Sequence, residues 1–199
     1  MAISERSRHS VARLGKAWAM KRLQRHIVLI GMMGAGKTAI GTELSRRLRV
    51  PFTDSDAEIE AAAAMSITEI FARDGEDFFR ARETEVLGRL MTGAPGIVST
   101  GGGAWLRPEN RAIIARSGFS VWLDCDAEVL WNRVRQRPTR PLLQTADPKG
   151  TLLRLLDERR PIYAQADLRF HSQGGDSIDA TATRLLAALR TADATPFED

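Results

Sequence analysis

Cysteine is almost missing from this chain of 199 residues: Cys125 stands alone, so no internal disulfide can form and a reducing, cytoplasmic setting is expected. No apolar run comes near the roughly 18 residues that a membrane-spanning helix needs. The apolar core of a secretory signal peptide is missing too, and no membrane partner is expected. Aromatic residues make up only 6% of the chain, and few stand among the arginines. That scarcity argues against nucleic acid as the reason for a formal charge of +4. There is no internal repeat and no low-complexity tract.

What is present suits one compact domain, since 43% of the residues are hydrophobic. The basic balance comes mainly from arginine, whose planar fork of donors binds carboxylate or phosphate at two points. An anionic small molecule is therefore the expected partner.

Along the chain, short β-type runs alternate with helical stretches, the pattern of a parallel sheet covered on both faces. His26 to Ile30, Phe52 to Asp54, Ile97 to Thr100, Phe119 to Asp124 and Leu168 to His171 are the five expected strands. Gly36 to Leu48 and Glu76 to Met91 carry apolar residues at intervals of three and four, as packed helices do. Ser66-Ile67-Thr68-Glu69 is a capping box, and Pro108 with Gly118 brackets a further helix. Residues 1–25 are basic and stand apart as an extension, either a loosely docked segment or an amphipathic targeting element. Gln136 to Gly150 holds Pro138, Pro141 and Pro148 and is expected to be a surface loop, a lid over an anion if Arg137 and Arg140 face one. A closing helix follows Ser177, and the polar tail from Thr191 is expected to be unstructured.

Gly31-Met32-Met33-Gly34-Ala35-Gly36-Lys37-Thr38 matches the Walker A pattern and lies where that pattern works, after a strand and at the start of a helix. Its backbone N–H groups, from Gly34 through Ala39, would cradle phosphates at the helix N-terminus. Lys37 would reach the β- and γ-phosphates of ATP, and the Thr38 hydroxyl would hold Mg²⁺. An Asn-Lys-x-Asp base-reading motif is missing, which disfavours a GTPase. The short chain disfavours a large ATPase and leaves a small-molecule kinase as the expectation.

Three features follow the second and third strands. Asp54-Ser55-Asp56 would project two carboxylates from the carboxyl edge of the sheet, one for Mg²⁺ through water and one to take the proton of the attacking hydroxyl. A plain helix N-cap is the alternative for that pair. Arg80 comes early in its helix, where a cation is disfavoured by the dipole, so it is either an anion's partner or an ordinary exposed arginine. Gly101-Gly102-Gly103 would waste backbone entropy unless a ligand approaches closely or the chain turns sharply.

In this order the motifs resemble the shikimate kinase family of small P-loop kinases, over residues 26–190. The likeness includes Gly75-Glu76-x-x-Phe79-Arg80, Arg140-Pro141-Leu142-Leu143 and Arg159-x-Pro161-x-Tyr163. It implies a three-layer α/β P-loop fold, a five-stranded parallel sheet in the order 2-3-1-4-5 with helices on both faces, and a lid at about 136–150. It also implies Asp56 as base and binder of ring hydroxyls, and Arg80 and Arg159, with Gly101, Gly102 and Gly103, around the carboxylate of shikimate. Asp54 would stand on the Mg²⁺ side, Arg140 would close over ATP, and Arg133 would lie against adenine. A monomer acting on shikimate and ATP is the implied state. The closest rival is a gluconate-type kinase with the same loop and lid. A rival of another class is a nucleotide-binding P-loop protein without catalysis, which would be expected to lose Lys37, Thr38, Asp56 or Arg140; all four are present.

Overall fold

The computed structural model describes residues 22–135, 143 and 145–198. Its strands are β1 (His26–Ile30), β2 (Phe52–Asp54), β3 (Ile97–Ser99), β4 (Gly118–Cys125) and β5 (Leu168–Ser172). All neighbours pair in parallel, in the order β2-β3-β1-β4-β5, as the resemblance implies. β1 lies in the middle, with Ile27 opposite Ile97 on one side and Phe119 on the other. Both faces of a central parallel strand are covered by helices, which is why its apolar residues run continuously instead of alternating. Parallel pairing also brings the carboxyl ends of all five strands to one edge, and the loops that carry the candidate residues leave from that edge.

Among the described residues seven helices cover the sheet: α1 (Lys37–Leu48), α2 (Ser55–Ala63), α3 (Ile67–Leu90), α4 (Pro108–Ser117), α5 (Ala127–Val134), α6 (Pro148–Tyr163) and α7 (Ile178–Thr191). Their starts follow local chemistry. The Ser66 and Glu69 side chains form the expected reciprocal box at the start of α3, and Pro108 occupies the first turn of α4. α3 bends at Gly75, whose φ of 83° and ψ of 177° only glycine adopts readily. The main core spans both faces of the sheet, while Ile59, Ile70, Phe79 and Val86 make a small second core between α2 and α3.

Two expectations are corrected. Asp147 caps α6 by accepting from the Gly150 amide at 2.9 Å, so Pro148 to Gly150 form the first helical turn and not the end of a loop. The C-terminal residues do not stand free: Phe197 is only 6% exposed, bridges to Leu23 as an antiparallel pair, and joins the main core. The Gln24 amide donates to the Pro196 carbonyl at 2.9 Å and the Glu198 amide to Arg22 at 3.0 Å, so residues 22–24 and 196–198 hold each other. Arg137 and Arg140, and residues 1–21 of the expected extension, lie outside the described residues. Among the described residues no helix is long and apolar enough to cross a membrane.

Candidate active site

The loop between β1 and α1 is built by its glycines. Gly34 and Gly36 have φ of 83° and 92°, in the left-handed region that an L side chain avoids, and a Cβ on Gly34 would meet Val134 at 2.7 Å. Gly36 stands at the N-cap position of α1, which has no side-chain cap, so the first turn presents backbone donors at the positive end of the helix dipole. Buried Ala35 anchors the loop: its amide donates to the Met32 carbonyl at 3.2 Å, and its carbonyl faces the Cys125 thiol at 3.7 Å. Lys37 and Thr38 open α1, followed by exposed Ala39. The Lys37 ammonium donates to the carbonyls of Gly31 and Met32 at 2.9 and 3.1 Å. Arg133, in the last turn of α5, donates to the Gly34 carbonyl at 3.1 Å, which puts it against the phosphate loop.

The Asp-x-Asp pair divides its work. Asp54 is the N-cap of α2, with Oδ1 accepting from the Asp56 amide at 3.1 Å, while its Oδ2 accepts from the Thr38 hydroxyl at 3.0 Å. The N-cap alternative thus holds for Asp54, whose second oxygen remains turned to the phosphate loop. A hydroxyl and a carboxylate that meet in this way are hard oxygen donors of the kind Mg²⁺ takes, so the pair fits that ion. Asp56 is one residue inside the helix and is not the cap; it lies beside Gly101.

The glycine triplet explains itself by space. None of its three residues has positive φ. A Cβ on Gly101 would stand 2.6 Å from Asp56 Oδ1, and one on Gly103 would stand 2.6 Å from the Arg80 guanidinium. A Cβ on Gly102 would meet the Gly31 carbonyl, the Met33 amide and Arg159 Nη1 only at ordinary distances of 3.6, 3.7 and 3.9 Å. The space around the outer two glycines is filled by the side chains of Asp56 and Arg80, which a larger residue there would displace.

Arg80 is not an ordinary exposed arginine. Glu76 accepts from its Nε and Nη2 at 3.2 and 3.1 Å, and Glu83 from its Nη1 at 2.9 Å. Burial works against the cation, and the two carboxylates more than offset it, holding its pKa above the ordinary value. Glu83 is only 1% exposed; burial raises its pKa and the neighbouring guanidinium opposes that rise. The sequence reading passed over Glu83, although its spacing of three from Arg80 on a helix is the signal that would have found it. Arg159, nearly buried on α6, reaches the Gly102 carbonyl from the other side at 3.5 Å. Phosphate loop, carboxylates and two arginines therefore converge at one edge of the sheet. Arg140 cannot be placed with them, being outside the described residues.

Such a convergence can hold a triphosphate on one side and an anionic polyol on the other, and comparison with known proteins agrees. The shikimate kinase family model matches residues 33–190. A shikimate kinase of Ruegeria pomeroyi is 58% identical over 169 residues, covering 85% of this chain and 87% of its own. The solved shikimate kinase of Acinetobacter baumannii in complex with shikimate superposes with a TM-score of 0.82 at 34% identity, over 90% of this chain and 99% of its own. A gluconokinase of Sinorhizobium meliloti reaches a TM-score of 0.52 at 17% identity, over 86% of this chain and 99% of its own, which is a likeness of fold alone. With a phosphate loop and an arginine-lined acceptor side in one site, and this likeness over most of its length, the chain belongs to the shikimate kinase family.

Proposed function

We propose that this protein transfers the γ-phosphoryl of ATP to the 3-hydroxyl of shikimate, giving shikimate 3-phosphate and ADP for aromatic amino-acid biosynthesis. The observation that carries the reading is the closeness of Gly102 to Gly31 and Met33, 3.6 and 3.7 Å from where its Cβ would be, which brings the loop beside Asp56, Arg80 and Arg159 next to the phosphate loop. An acceptor held there has its hydroxyl next to the γ-phosphate, and such positioning supplies much of the rate in phosphoryl transfer.

In this mechanism Arg80 and Arg159 grip the carboxylate of shikimate through paired donors, with the Gly101 to Gly103 backbone closing the pocket between them. The acceptor oxygen attacks the γ-phosphorus, the bond from phosphorus to the β,γ-bridging oxygen breaks, and the hydroxyl proton passes to the Asp56 carboxylate. Lys37 meets the charge on the transferring group. Thr38, with Asp54 through water, would hold Mg²⁺, which when bound neutralises charge on the β- and γ-oxygens. By the family resemblance Arg133 would lie against adenine and Arg140, outside the described residues, would close over ATP and exclude water that would otherwise hydrolyse it. The protein works as a cytoplasmic monomer on this reading, and its single cysteine suits a reducing compartment.

ADP release measured in parallel with shikimate, with gluconate and without acceptor tests the proposal. Release that depends on shikimate is expected. Release without acceptor, or faster release with gluconate, would overturn it.

A further inference from the structure

The chain contains one tyrosine, and it lies where the two halves of the site meet. Tyr163 closes the last turn of α6 and is fully buried. Its hydroxyl donates to the Gly102 carbonyl at 2.5 Å and stands 3.8 Å from the Met32 sulfur of the phosphate loop. The ring stacks on Trp122 of β4, with centroids 6.0 Å apart and planes at 29°. One turn earlier on the same helix, Arg159 reaches the same Gly102 carbonyl.

These contacts have a directional consequence. A trans peptide points its C=O and N–H opposite ways, so a hydroxyl that pulls the Gly102 carbonyl toward α6 turns the Gly103 amide away from it. Gly103 is the residue against which the Arg80 guanidinium lies. The orientation of one peptide plane therefore links Arg159 on one side of the acceptor pocket to Arg80 on the other. Glycine on both sides of that plane leaves it free to rotate unless something holds it. Stacking on β4 makes Tyr163 a rigid holder, because the ring cannot follow the loop without leaving Trp122.

We propose that Tyr163 is a positioning residue for the acceptor: through the Gly102 carbonyl it sets the glycine loop, Arg80 and Arg159 in register with the phosphate loop. It acts through the backbone of the glycine loop and takes no part in the chemical step. Burial raises the phenol's pKa while Arg159 opposes that rise, so the hydroxyl remains a neutral donor through the range in which the enzyme is assayed.

The inference rests on the acceptor reading above, and wild-type activity with shikimate tests that reading separately. Tyr163→Phe keeps the ring and its stacking and removes only the hydroxyl. Losing a buried donor is expected to raise the KM for shikimate about tenfold, while the KM for ATP changes less than about twofold and kcat less than about threefold. Ile114→Val, in the core under α4 and away from the site, supplies a destabilised control. Thermal midpoints are measured for both variants. A rise in the shikimate KM confined to Tyr163→Phe supports the proposal. Equal rises in both KM values, a shikimate KM like that of the control, or failure of Tyr163→Phe to fold would each overturn it, because a purely structural hydroxyl predicts those results.

Discussion

Lys37 and Glu83 show at the residue scale how a charge is kept ready. The Lys37 ammonium rests on the carbonyls of its own loop, so it is already at the mouth of the phosphate cradle and need not be recruited from solvent. Lys37→Ala is expected to lower shikimate-dependent turnover at least about a hundredfold, since one preorganised donor to a developing phosphoryl charge is worth several kcal/mol. Unchanged turnover in a coupled assay would remove Lys37 from the mechanism. Glu83 pairs with Arg80. Removing one partner of a largely buried pair leaves the other charge poorly compensated, so Glu83→Ala should cost about 2 to 4 kcal/mol by urea unfolding. A double-mutant cycle with Arg80→Ala checks this: additive losses would show that the two side chains do not support each other. Lys37 was legible because its motif is contiguous, whereas the spacing that links Glu83 to Arg80 also links exposed Glu85 to Arg82, and only burial tells the two pairs apart.

α3 shows at the scale of the element why a break can matter as much as a helix. Up to Asp74 it packs Ile70 into the small second core; from Glu76 onward it carries Phe79 into that core and Arg80 and Glu83 into the site. The two parts have different axes because Gly75 adopts a conformation that any L side chain resists, although open space surrounds the place of its Cβ. Gly75→Ala therefore tests backbone conformation without a clash. The expected cost is about 1 to 3 kcal/mol, seen as a lower thermal midpoint. The KM for shikimate should rise while that for ATP stays, because the second part turns with Arg80 on it. A lower midpoint with an unchanged shikimate KM would show that the bend does not aim Arg80. The capping box at Ser66 and the apolar spacing after Glu76 made both parts legible in the sequence. Their continuity as one bent helix was not, since it depends on Gly75 taking its unusual conformation and on the second part packing Val86 and Leu87 into two different cores.

Across the whole molecule, what was legible depended on sequence distance. The strand order came with the family resemblance that contiguous motifs carry, and the edge that holds the site followed from the parallel pairing of the strands. The clasp of Leu23 on Phe197 was not legible: the helical spacing that Leu23 shares with Trp18 and Leu14 points to a helix, whereas Leu23 lies in an isolated bridge whose burial is decided by the rest of the fold. His26 is another such case. It begins the central strand, is only 4% exposed, accepts from the Gly96 amide at Nδ1 and faces the Gly93 carbonyl with Nε2, both at 3.3 Å. That arrangement requires the neutral ring, with its hydrogen on Nε2, and protonation would cancel the acceptor. Burial lowers the pKa in the folded state and the bond to Gly93 opposes it, whereas the unfolded chain takes up its proton at about 6.5. Below that pH the unfolded state binds more protons than the folded one, so stability rises with pH up to about 6.5 and the contribution of His26 is complete above it. Thermal midpoints between about pH 7.5 and 5.5 should therefore fall in the wild type and fall less in His26→Gln, whose amide can still donate and accept. The window lies above the usual carboxylate range, and a slope equal in both proteins would assign the acid sensitivity to other groups.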